Sequence, residues 1–256
     1  ASGSGRGELS ALGAAARIAP VSARAYNRAM SDFVFDPPMP SVAIAGSERR
    51  FPVRRIYCVG RNYAAHAREM GADPAREPPF FFMKPADAAA PSGPIAYPPD
   101  TDNLHYEGEL VVAIGHPGRD IAADNAWAHI FGYAPGVDLS RRDRQGEARA
   151  AGQPWERSKA FDLSAPIAPL TPAGEIGHMT KGAISLSVNG VTRQSADIAD
   201  LIWSIPEIIT TLSRSWALGR GDLIFTGTPE GVGPLQRGDG VVVRVAGLQD
   251  LKIDIV

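Results

Sequence analysis

The sequence predicts a strand-rich α+β fold whose loops supply most of the polar groups. Three observations carry that prediction. Glycine (27 residues) and proline (22 residues) are spread along all 256 positions, which favours many short elements over long helices. Short apolar runs stand between turn-forming clusters, the pattern of buried strands. One Asn-Gly pair sits between alternating flanks, a strong local hairpin signal.

Residues 1–30 are rich in Ala, Arg, Ser and Gly and carry one acidic residue, Glu8. They contain no long apolar stretch of the secretory kind. They are expected to form a disordered leader, or to lie upstream of a natural start at Met30. Residues 31–52 follow as a short N-terminal strand segment, with "SVAIAGSERRFPV" (41–53) reading as two strands around a Gly-Ser turn. The main domain is expected over 53–256. Within it "RIYCVG" (55–60) reads as a strand, "NYAAHAREMG" (62–71) as a short helix stopped by Gly71, and "FFFMK" (80–84) as a strand ending in lysine. "LVVAI" (110–114) reads as a buried strand and "DNAWAHIFGYA" (124–134) has helical spacing. "RRDRQGEARAAG" (141–152) is polar and helical, "KGAISLSVNGVTRQ" (181–194) is the hairpin, and "DLIWSIPEIITTLSRSWAL" (200–218) is an amphipathic helix with Pro206 near its start. Strand, Gly-Pro-rich loop and strand complete 221–248.

Composition excludes several classes. The 44% apolar share suits a globular chain, and no apolar run is long enough to span a bilayer as a helix. A net charge of −2 gives no reason to expect a nucleic-acid or anionic-membrane partner. The single cysteine, Cys58, excludes an internal disulfide, reads as a small core residue and fits a reducing cytoplasm.

Glu107 and Glu109 lie two apart before the apolar run, so in a strand both carboxylates face one way. Either they edge a solvated strand or they hold a cation, because close like charges are tolerated when a metal neutralises them. Asp138, after another apolar stretch, is either a turn carboxylate or a third oxygen ligand. Such a set suits Mg²⁺, Mn²⁺ or Ca²⁺ better than Zn²⁺. His66 and Glu69 share a helix face, where a carboxylate can orient an imidazole that draws a proton from water. Lys84 and Lys159 sit among apolar residues and either face an anion or snorkel. Arg61, Arg142 and Gln145 are candidate donors to carboxylate or keto oxygens. "TGTPEGVG" (226–233) is no phosphate loop, yet its amides and hydroxyls could hold a carboxylate.

The segments "YCVGRNYAAHAREMG", "FFFMKPADA", "LHYEGELVVAIG", "GYAPGVDLSRRDRQ", "WERSKAFDLSAPIAP" and "SIPEIITTLSRSWALGRGDLIFTGTPEGVGP" occur in one order. Together they resemble the short, single-domain branch of the fumarylacetoacetate hydrolase family, and within it the acylpyruvases that cleave fumarylpyruvate. The resemblance implies a mixed β-sandwich roll, a homodimer, and one divalent ion, Mg²⁺ or Mn²⁺ (with Ca²⁺ able to replace it in a crystal), on Glu107, Glu109 and Asp138. It implies a His66–Glu69 dyad, an active-site Lys159, substrate contacts from Arg142, Gln145 and Thr228, and Arg61 leading into a lid over roughly residues 64–78. The implied activity is hydrolysis of a C–C bond in a 2,4-diketo acid, fumarylpyruvate to fumarate and pyruvate in gentisate-type aromatic catabolism. Alternatives are oxaloacetate decarboxylation, the isomerase/decarboxylase step of homoprotocatechuate breakdown, and a non-catalytic binding protein on the same fold. Gly108 departs from the larger residue that such proteins more often carry between the two glutamates.

Overall fold

Apolar side chains that alternate along a strand must be covered on both faces, and this chain covers them with a second sheet on one side and a helix on the other. The computed structural model describes residues 34–64 and 78–256. The unit from Met39 to Val256 holds every strand discussed below. Its six-stranded sheet runs in the order Thr171–Pro172, Ile130–Val137, Gly108–Ile114, Asp222–Phe225, Arg55–Gly60, Phe80–Lys84. All neighbours pair antiparallel except Asp222–Phe225 with Arg55–Gly60, which are parallel. A five-stranded sheet runs Val191–Asp197, Ala183–Val188, Gly240–Val245, Leu251–Ile255, Gly93–Ile95.

The alternation is visible residue by residue. Ile56, Cys58, Val111, Ala113, Leu223 and Phe225 join one core cluster with Leu186, Val188, Val241, Val243 and Ile253 of the five-stranded sheet. Tyr57, Val59, Leu110, Val112, Ile114 and Ile224 join a second cluster with Ile205, Ile208, Ile209 and Leu212 of the helix Ile205–Ser215. The run Leu110–Ile114 is apolar at every position because both its faces are buried. Burial of this kind, at about 25 cal/mol per Å², is the main favourable term holding the sheets together.

The strands at 41–44, 47–52, 55–60 and 80–84, the Asn189–Gly190 hairpin and the helix Arg142–Ala151 lie where the sequence puts them. Two expected helices are shorter. Over 124–134 only a 3₁₀ turn, Ala123–His129, is helical, and Ile130–Val137 is a central strand. Helical spacing there competes with aromatic and β-branched residues that fit a sheet. Gly132 lets that strand reach its neighbour, since a Cβ would stand 2.3 Å from the Thr171 carbonyl oxygen. Over 200–218 the helix starts only at Ile205, because Asn62 holds the backbone just before it. The Asn62 side chain accepts from Trp203 N at 2.7 Å and donates to Trp203 O at 3.0 Å. Ser204 N and Oγ then both donate to Glu207 Oε2, at 3.0 and 2.7 Å, closing the first turn. The expected helix over 62–71 lies outside the described residues beyond Ala64. No helix of the described residues is long and apolar enough to cross a membrane.

Candidate active site

Three acidic side chains converge because two antiparallel strands meet at their ends. Glu107 lies in the break between the short strand Leu104–Tyr106 and Gly108–Ile114, rather than within one continuous strand. Asp138 follows Ile130–Val137, and Asp138 N donates to Glu107 O at 2.8 Å, so the register fixes both backbones. Carboxylate oxygens of Glu107, Glu109 and Asp138 all lie within 4.8 Å of one another, and all three residues are buried. This excludes the solvated-edge alternative.

Cations surround the trio. Lys159 is 2% exposed and its Nζ donates to Glu107 Oε2 and Asp138 Oδ2, both at 2.7 Å. Lys84 is buried beneath, with Nζ 2.8 Å from Asp138 Oδ1 and donating to the carbonyls of Leu139 (3.0 Å) and Lys159. Arg142 donates to Glu107 Oε1 at 2.5 Å and to Gln145 Oε1. Gly227 N donates to Glu109 Oε2 at 2.6 Å. Gly227 does so at φ 105°, where an added Cβ would stand 2.6 Å from Asn62 Cβ.

The donor set fits a hard divalent ion. Its ligand atoms are all carboxylate oxygens. Asp138 Oδ1 is fully buried and has no hydrogen-bond partner among the described residues, with the Lys84 ammonium 2.8 Å away. Burial, then Asp138 and Glu107, push the Glu109 carboxyl well above the usual carboxylate range, against the Gly227 amide. That is the state a bound cation would reverse. Burial alone would lower the Lys159 ammonium, but Asp138 and Glu107 outweigh it and hold Lys159 above its ordinary value. Lys159 is therefore charged.

A cavity of about 230 Å³ opens onto the trio. Arg61, Glu107, Glu109, Arg142, Gln145, Lys159 and Thr228 all line it, with Asp138 buried behind. Arg61 holds φ at 58°, an uncommon conformation for a residue with a side chain. The Thr228 hydroxyl is engaged twice, donating to Gly108 O at 2.9 Å and accepting from Gln194 Nε2 at 2.9 Å. It ties the acidic strand to the Gly-Pro loop. Gly108 points away from the cavity, for a Cβ there would meet Leu186 and Gln194 at 3.0 to 3.2 Å. His66 and Glu69, and all but the end residues of the lid expected over roughly 64–78, lie outside the described residues.

The sequence reasoning missed one wall. Phe80, Phe82 and Trp155 form it, with Trp155 edge-on to Phe80 at 5.0 Å between centroids and 5.9 Å from Phe82. The two-residue period Phe80–Phe82–Lys84 carried that signal, because Lys84 was already a candidate. Gly146 and Arg149 also line the cavity, and their spacing from Arg142 and Gln145 on one helix face could have found them.

Comparison with known proteins agrees with this geometry. The family model for the fumarylacetoacetate (FAA) hydrolase C-terminal domain matches residues 55–256. The chain is 43% identical over 184 residues to the fumarylpyruvate hydrolase of a Ralstonia species, covering 72% of this chain and 95% of that protein. It is 43% identical over 199 residues to the oxaloacetate tautomerase of Escherichia coli K12, covering 77% and 90%. The crystal structure of fumarylpyruvate hydrolase from Pseudomonas aeruginosa in complex with Mn²⁺ and pyruvate superposes with a TM-score of 0.86, at 55% identity over 88% of this chain and 99% of that one. On its sequence, its mixed strand-rich fold and its acidic trio, the chain belongs to the fumarylacetoacetate hydrolase family.

Proposed function

We propose that this protein hydrolyses the C–C bond of an acylpyruvate, with fumarylpyruvate cleaved to fumarate and pyruvate. The observation that carries this reading is the convergence of three buried carboxylates and a charged lysine on one cavity lined by arginine and glutamine donors. Glu107, Glu109 and Asp138 would hold a divalent ion, Mg²⁺ or Mn²⁺. Such an ion supplies Lewis-acid charge to the α-keto acid end of the substrate. Arg142, oriented by Glu107 and Gln145, would fix the carboxylate at that end. Lys159 spends two N–H bonds on Glu107 and Asp138, which leaves one of its three for a developing oxyanion. His66 and Glu69 are assigned to activate the water that attacks the distal carbonyl. Phe82, 5.0 Å from Lys159 Nζ, and Trp155 would keep bulk water out of the cleavage step. The Mn²⁺ and pyruvate of the Pseudomonas neighbour support the metal and the product.

A second reading, oxaloacetate tautomerisation or decarboxylation, draws on relatives of those names. Loss of fumarylpyruvate absorbance, followed with Mn²⁺ or Mg²⁺ and with EDTA, separates the two. Metal-dependent turnover that collapses in His66→Ala supports hydrolysis. Inert fumarylpyruvate alongside accelerated oxaloacetate chemistry in both proteins supports the second reading.

A further inference from the structure

The helix Arg142–Ala151 presents a graded face to the cavity. Arg142, Gln145, Gly146 and Arg149 follow the i, i+3, i+4, i+7 spacing of one helical stripe, and all four line the cavity. Arg142 and Gln145 are at the acidic trio, whereas Gly146 and Arg149 are exposed at the far end. A Cβ at Gly146 would meet nothing within 4 Å, so the wall is open between the two ends.

Arg149 differs from the arginines around it. Arg141 donates to Arg157 O, Arg144 pairs with Glu147 and Asp100, and Arg157 pairs with Asp100. The Arg149 side chain has no ion-pair or hydrogen-bond partner among the described residues. It lines the same cavity as the Phe80, Phe82 and Trp155 wall.

We propose that Arg149 is the specificity residue of this cavity and binds the distal carboxylate of doubly anionic acylpyruvates. This inference rests on the hydrolase reading above. Seven residues of helix place Arg149 about 10 Å along the axis from Arg142. Six C–C bonds of about 1.5 Å separate the carboxylate carbons of fumarylpyruvate, which gives roughly 7–8 Å in extended form. An ionic hydrogen bond of about 3 Å at each end brings the span to roughly 13–14 Å, which two long arginine side chains cover from backbone positions about 10 Å apart. Oxaloacetate, with three such bonds, spans only roughly 4 Å between its carboxylate carbons. Acetylpyruvate has no distal charge to offer.

The test measures kcat/KM for fumarylpyruvate and for acetylpyruvate, with Mn²⁺, on wild type, Arg149→Met and Arg149→Lys. The expected result is a fumarylpyruvate-to-acetylpyruvate ratio that falls about tenfold to a hundredfold in Arg149→Met, carried mainly by KM. Arg149→Lys should fall in between, because it keeps the charge and loses the planar fork. If Arg149→Met does not fold, the Lys variant carries the comparison. An unchanged ratio in folded variants that turn over both substrates overturns the role of Arg149 and leaves the hydrolase reading intact. Wild type that cleaves neither acylpyruvate overturns the reading and this inference together.

Discussion

At the scale of single residues, the acidic trio and its lysine make separable predictions. Glu109→Gln or Asp138→Asn removes one of three ligands, and Mn²⁺ affinity measured by calorimetry should fall at least about a hundredfold. Lys159→Met removes a cation that competes for the same oxygens, so Mn²⁺ should still bind. Its turnover should fall about 10²- to 10³-fold, as for loss of an oxyanion donor. His105 offers a test by pH. Burial and then Arg142 lower its imidazole from 6.5 to about 4, and its Nδ1 is buried without a partner among the described residues. A folded pKa below the unfolded one means that the unfolded chain binds the proton first as pH falls. Stability is therefore lost as pH falls from 6.5 to 4. Urea titrations across that window should show the loss in wild type and a flatter profile in His105→Gln.

At the scale of elements, the Gly-Pro loop after Asp222–Phe225 has to present an amide to Glu109, and only glycine permits it at 227. Gly227→Ala forces a side chain into φ 105° and against Asn62. It should cost about 2–4 kcal/mol, read as a lowered urea midpoint, with Mn²⁺ affinity falling as well because the Glu109 contact shifts. The sequence made the elements legible where one local rule acted alone. Asn189–Gly190 could only be a turn, and Leu110–Ile114 could only be a buried strand. It misled where two rules overlapped. Ile130–Tyr133 carries helical spacing and strand-forming residues at once, and the sheet decides. Residues 200–204 carry helix-compatible residues, but Asn62, far away in the chain, binds Trp203 and delays the helix. The acidic trio was legible as residue types, while its convergence depended on a strand register that no short window contains. The aromatic wall was legible only in part, because Phe80 and Phe82 share a local period with Lys84 while Trp155 lies far away in sequence.

At the scale of the whole molecule, the metal and the fold should be linked. The ligands sit at the ends of central strands, so an ion that binds only the folded chain stabilises all of it. At a free Mn²⁺ concentration a hundred times its Kd the gain is about 2.7 kcal/mol. For a chain of this size that corresponds to roughly 5–10 °C in Tm. Thermal melts with Mn²⁺ and with EDTA should differ by that amount, and Asp138→Asn should abolish the difference.

The two ends of the cavity are built at different depths. The trio sits in and at the ends of strands that the core cannot release, whereas Arg149, Gly146 and Trp155 stand on short peripheral helices and turns. Descendants of such a chain can therefore exchange the group at the rim one mutation at a time and keep folding, while the reactive end is inherited whole or lost.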